Sequence, residues 1–146
     1  MKENLIVMEF EALPENQGFA RAIVSSYMAF FDPTVEELTE LKTAVSEAVS
    51  NSIIHGYEKK GCGKIRLEMR AVSSECMSVK IIDYGKGILD IEKAREPMFS
   101  TVKNEELSGM GFTVMESFTD KILVESEVGK GTAVTLIKKI DNSYGF

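Results

Sequence analysis

The sequence predicts an α+β protein, a two-layer α/β sandwich with helices on one face of a mainly antiparallel mixed sheet. Three observations lead there. Residues 64–72 and 76–83 read as strands around a short polar turn, and residues 121–127 and 132–140 as a second such pair. Two stretches of helical period, 15–31 and 34–56, lie between the first strand and these hairpins. A glycine-opened helical stretch then separates one hairpin from the other. Hairpins with helices interspersed pack as a helical layer against one sheet face.

Each element has a local reason. Residues 4–12 form a strand with Ile6, Met8 and Phe10 on one face. Residues 15–31 form a helix, and Asp32-Pro33 ends it, because proline disfavours helical backbone in the residue before it. Thr34 opens a second helix with Glu37 three residues on, the capping-box spacing. Its apolar stripe is Leu38, Leu41, Val45, Ala48 and Val49, and it is expected to run beyond 20 residues toward Gly56. Gly61-Cys62-Gly63 breaks the chain before the first hairpin, which turns at Ser73-Ser74. Residues 88–108 are irregular, with one short helix near 90–95. Gly109-Met110-Gly111 opens a helix to about 118, and Gly129-Lys130-Gly131 turns the last hairpin.

The 146 residues suffice for one domain with a real core, read as a single unit over 1–146. An apolar fraction of 44% and a charged fraction of 27% are those of a soluble globular protein. No apolar run approaches a membrane span and the N-terminus does not read as a secretory signal, so no membrane partner is expected. Cys62 and Cys76 lack metal-type spacing, which suits a reduced, cytoplasmic protein. His55 is the only histidine, which argues against a zinc site or a Ser-His-Asp triad. The net charge is −6. Residues 1–40 hold eight acids and two bases, which accounts for all of it. Direct nucleic-acid binding, which needs basic surface, is therefore not expected. The acidic N-terminal part is either a solvated surface or a face for a basic protein partner.

Four places carry chemistry. Asp83 shares strand parity with Met77, Val79 and Ile81, so its carboxylate points where the apolar face points. Gly85 and Gly87 follow, where the backbone must approach something closely. The segment is either a recessed ligand site or a turn capped by Asp83. On the second helix, Glu47, Asn51 and His55 are spaced by four and share one side. A carboxylate there can accept a proton and an amide oxygen can hold a hard cation such as Mg2+, or the face is simply solvated. Ser108-Gly109-Met110-Gly111-Phe112 opens a helix whose free N–H groups suit phosphate, or Ser108 merely caps it. Thr132 follows Gly131 at the start of the last strand, where its hydroxyl can meet a ligand or belong to an ordinary turn. The 21 residues between Gly87 and Gly109 exceed what a connection needs and read as a lid or a surface loop.

The ordered set is more specific than its parts. Glu47 through Asn51 to His55-Gly56-Tyr57 resembles the N-box of the Bergerat-type ATP-binding superfamily, which includes gyrase and the histidine kinases. Asp83-Tyr84-Gly85-Lys86-Gly87 resembles its adenine-binding box, and Ser108-Gly109-Met110-Gly111-Phe112 its phosphate-binding box. No Walker-type loop is present. The runs Glu47 to Tyr57, Ser108 to Glu116 and Val124 to Val128 resemble, more narrowly, the bacterial anti-sigma F factor family, serine kinases of sporulation, over essentially the whole chain.

That resemblance implies a Bergerat-type sandwich with nucleotide, ATP or ADP, under a lid. It implies Asp83 as acceptor of the adenine amino group, helped by water and Thr132, with the ligand as this acid's partner. Gly85 and Gly87 complete the adenine box. Asn51 becomes the Mg2+ ligand, and Asn51 and His55 of the N-box count among the nucleotide-binding residues. Ser108, Gly109, Met110 and Gly111 hold phosphates. Glu47 becomes the catalytic base for an incoming serine hydroxyl on an anti-anti-sigma factor. Arg21 resembles a family arginine that contacts both the sigma factor, sigma F, and that antagonist. A homodimer is implied. The sequence departs at Leu107, where the family commonly has arginine. Lys103 is the nearest base and is placed with the phosphate-side residues. This departure keeps open a sigma-binding module gated by ATP with little kinase activity; an anti-sigma kinase of the general stress response, with the same chemistry and a different sigma factor, is a separate alternative.

Overall fold

The computed structural model describes residues 4–58, 60, 62–96 and 111–141. Five strands form one sheet in the order β1-β2-β3-β5-β4. They are β1 (Ile6–Glu11), β2 (Lys64–Ser73), β3 (Cys76–Asp83), β4 (Lys121–Glu127) and β5 (Gly131–Lys139). All four pairings are antiparallel, so the sheet among the described residues has no parallel component. The helices are α1 (Gln17–Met28), α2 (Val35–Asn51), the short α3 (Ile91–Ala94) and α4 (Gly111–Phe118).

Side-chain alternation decides which face is covered. Ile65, Leu67 and Met69 on β2, with Val79 and Ile81 on β3 and Leu136 on β5, are all within 1% of complete burial. Against them α1 sets Ala20, Val24 and Met28, and α2 sets Leu41, Ala44, Val45, Ala48 and Val49. Phe112 and Met115 of α4 close the layer. The helix α2 touches both α1 and α4 and lies over β3 and β5. Leu41, its one fully buried leucine, cut to alanine costs about 2–5 kcal/mol.

Local chemistry sets the ends of α2. The Glu37 N–H donates to Thr34 Oγ1 at 3.1 Å and the Thr34 N–H donates to Glu37 Oε1 at 2.9 Å, which is the expected capping box. The far end differs from expectation. The α-helix stops after 17 residues at Asn51, and Ser52–Gly56 continue as a π turn. The Tyr57 N–H bonds to the Ser52 carbonyl at 3.0 Å, five residues back. A π turn is wider than an α turn and favours functional sites.

One buried charge fixes the layers against each other. Lys138 has the inward parity of Leu136, and its Nζ donates to Glu40 of α2 at 2.6 Å and to the Phe118 carbonyl at 2.9 Å. That carbonyl ends α4, where a cation is favourable. The lysine thus ties β5, α2 and α4 at one point.

Candidate functional site

Asp83 ends β3 on the inward face and is 4% exposed. The Gly85 N–H donates to its Oδ1 at 3.0 Å, and the Ser52 hydroxyl and Thr132 N–H also bond to the carboxylate. Burial nevertheless pushes this carboxyl above its ordinary pKa, and these hydrogen bonds offset the shift only in part. The expectation that Asp83 finds its partner only in a ligand therefore needs correction, because protein donors already hold it. The turn-capping role and the recessed position are both real. A carboxylate has about four acceptor positions, so it can take a further donor.

Three glycines let other chain segments reach this acid. A methyl group at Gly56 would lie 2.9–3.1 Å from the Asp83 carboxylate atoms. One at Gly85 would lie 2.2 Å from the Gly56 carbonyl oxygen. Gly131 has φ +119°, and a methyl there would fall 2.1 Å from the Asp83 carbonyl oxygen. The π turn therefore lies directly against the end of β3 because neither Gly56 nor Gly85 carries a side chain. Gly87 ends the box with φ +79°, packed on the Glu127 carbonyl.

Three residues that the sequence placed only within family-like runs, without a role, belong to the site. The Tyr57 hydroxyl donates to the Lys64 carbonyl at 2.6 Å and accepts from the Tyr84 N–H at 2.7 Å, which ties the start of β2 to the residue after β3. Ser52, one residue past Asn51, bonds to Asp83. Ser126 of β4 lies 2.8 Å from the Thr132 hydroxyl and accepts the Ile88 N–H at 2.7 Å. Only the cross-strand register brings Ser126 opposite Thr132, so the run Val124 to Val128 gives it no role by itself.

Glu47 and Asn51 stand at the other end of the site. They face the start of α4, where a methyl group at Gly111 would lie 3.1 Å from Asn51 Oδ1 and Nδ2 and 3.4 Å from Glu47 Oε2. Burial raises the Glu47 pKa above its ordinary value. Among the described residues no cation pairs with it. His55 lies on the π turn, so it departs from the α-helical stripe that spacing gave it with Glu47 and Asn51. Arg21 of α1 donates to Ser46 Oγ at 3.0 Å, beside Glu47 in sequence. Lys103, Leu107, Ser108, Gly109 and Met110 lie outside the described residues.

The arrangement fits a nucleotide with a hard cation. Among the described residues no group of three or more His, Cys, Asp and Glu side chains could hold a metal alone. Mg2+ does not ask for one, since it takes one or two protein oxygens and completes its shell with phosphate and water. Asn51 and Glu47 supply oxygens next to a helix N-terminus that favours phosphate. No described helix is long and apolar enough to cross a membrane.

Known proteins resemble the chain over most of its length. Residues 10–138 match the family model of the histidine kinase-like ATPase domain. The chain is 50% identical over 141 residues to the anti-sigma F factor of Clostridium botulinum strain Eklund 17B, covering 97% of this chain and 98% of that one. It is 49% identical over 137 residues to the anti-sigma F factor of Thermoanaerobacter sp. strain X514, covering 94% of each. The RsbU and RsbW domains of Rv1364c from Mycobacterium tuberculosis share the fold with a TM-score of 0.67 at 17% identity, over 94% of this chain and 32% of that one. The mycobacterial sensor histidine kinase MprB does so with a TM-score of 0.56 at 13% identity, over 92% of this chain and 98% of that one.

Proposed function

The chain belongs to the anti-sigma F factor family of histidine kinase-like ATPases, and from that premise we propose that it is an anti-sigma factor and an ATP-dependent protein serine kinase. In this reading it sequesters sigma F and phosphorylates a serine of an anti-anti-sigma factor, its antagonist. It works in the cytoplasm as a homodimer. The observation that carries the reading is the placement of two acids with different surroundings. Asp83 is buried at the end of β3, and half-buried Glu47 stands beside Asn51 and the start of α4.

Asp83 binds the adenine amino group, and the Gly111 end of α4, with Ser108, Gly109, Met110 and Lys103, holds the phosphates. Asn51 holds Mg2+, which neutralises phosphate charge when bound. In the transfer, the serine oxygen of the partner attacks the γ-phosphorus. The bond from that phosphorus to the bridging oxygen breaks, and ADP leaves. The serine proton passes to the Glu47 carboxylate. Burial suits Glu47 to this role, since a raised pKa makes it a stronger base. Arg21 contacts the partner, and its bond to Ser46 connects that contact to the helix that carries Glu47.

Purified protein with Mg2+ and γ-labelled ATP tests this when a candidate anti-anti-sigma protein is added. Acid-stable label on that partner is expected, because phosphoserine survives acid. Glu47→Ala should lower transfer by about 10²–10⁴-fold while ATP binding changes little. Equal transfer by the variant would remove Glu47 from its role. Tight ATP binding with no transfer to a cognate partner would instead favour the ATP-gated sigma-binding module.

A further inference from the structure

We propose that Ser126 sets the base specificity of the nucleotide site by fixing the Thr132 hydroxyl as a hydrogen-bond acceptor. This rests on the nucleotide site proposed above, with the base at Asp83. Asp83, Thr132 and Ser126 are direct cross-strand partners on β3, β5 and β4. Side chains at paired positions share a sheet face. The three therefore form one row at the end of the inward face.

The protons of this row can be counted. Ser126 Oγ has three neighbours: the Ile88 N–H at 2.7 Å, the Gly131 carbonyl at 3.0 Å and the Thr132 hydroxyl at 2.8 Å. The amide can only donate and the carbonyl can only accept. A serine hydroxyl has one proton and two lone pairs. All three contacts are hydrogen bonds in one assignment alone. Ser126 donates to Gly131, accepts from Ile88 and accepts from Thr132. The Thr132 proton is then committed to Ser126, and its lone pairs are what remain for a ligand.

A carboxylate by itself does not choose among purines. It accepts from the 6-amino group of adenine or from the N1–H of a 6-oxopurine. An added acceptor does choose. It welcomes the second amino hydrogen of adenine and opposes the lone pairs of a 6-oxo group. With Ser126 removed, the Thr132 hydroxyl can rotate and donate, and a 6-oxo group becomes acceptable.

The test compares affinities for ATP and inosine triphosphate, which differ only at the 6-position and the N1 proton. The wild-type protein should prefer ATP. Ser126→Ala should lower the ATP-to-inosine-triphosphate affinity ratio about tenfold, which is about 1.4 kcal/mol. Ser126→Thr, which keeps the hydroxyl, should restore the ratio. Equal loss for both nucleotides in Ser126→Ala would mean a structural role only and would overturn the proposal. Should Ser126→Ala fail to fold, Thr132→Val gives the same test, since it keeps the Ser126 bond to Ile88 and removes the acceptor. An unchanged ratio there also overturns the proposal. Tight ATP binding with an unmoved ratio defeats this inference alone, whereas wild-type protein that binds no ATP defeats the nucleotide site itself.

Discussion

Asp83 and Glu47 are acids whose burial opposes their ionisation. The sign for stability follows from that. A carboxyl whose folded pKa is raised contributes stability below its ordinary pKa, and the contribution is lost as pH rises through the folded value. At neutral pH an ionised Asp83 therefore costs folding free energy. Asp83→Asn should weaken nucleotide binding by about 1–3 kcal/mol, measured by calorimetry. Unchanged affinity would reduce Asp83 to a turn residue. For Glu47 the same direction sets a rate. The acidic limb of the kcat/KM profile for phosphoryl transfer should lie above the ordinary glutamate value of 4.5. A profile flat down to that value would show that Glu47 does not take the proton.

At the scale of elements, the site exists because several segments touch through glycine. Gly129 and Gly131 separate two effects within one turn. Both have positive φ, at +84° and +119°, but a methyl at Gly129 meets nothing within 4 Å. Gly131→Ala adds backbone strain to a collision with β3 and should destabilise by about 2–5 kcal/mol. Gly129→Ala meets strain alone, about 1–2 kcal/mol. Chemical denaturation of both variants checks the difference, and equal losses would show that close approach to Asp83 does not matter. The π turn belongs to the same logic. It carries Ser52, which bonds to the Asp83 carboxylate, and Gly56, which lies against it.

Across the whole molecule, a ligand joining α2, α4 and β3 should stabilise all three. Mg2+ with ATP at 100 times its Kd should add about 2.7 kcal/mol, or about 5–11 °C in Tm for a domain of this size. No shift would argue against nucleotide binding. The charge distribution also changes meaning at this scale. Of the eight acids in residues 1–40, Glu9 and Glu11 pair with Arg66 and Lys64, Glu37 caps α2 and Glu40 holds Lys138. Half of the apparent acidic face is thus used within the fold, which leaves less of it for a basic partner.

Much of this was legible along the chain because the signals are local. Strand alternation put Asp83 on the inward face, the capping box started α2, and spacing by four joined Glu47 to Asn51. The box motifs resemble those of the family without reference to any contact. Other features depend on which distant residues meet. Ser126 becomes part of the site only because β4 pairs with β5 in one register, and that register places it opposite Thr132. Tyr57 braces two strands that sequence alone does not bring to it. The shift from α to π at Ser52 left no local mark in the sequence. Periodicity fixes which way a side chain points. Only the closed sandwich decides what it touches, because that depends on pairings between residues far apart in the chain.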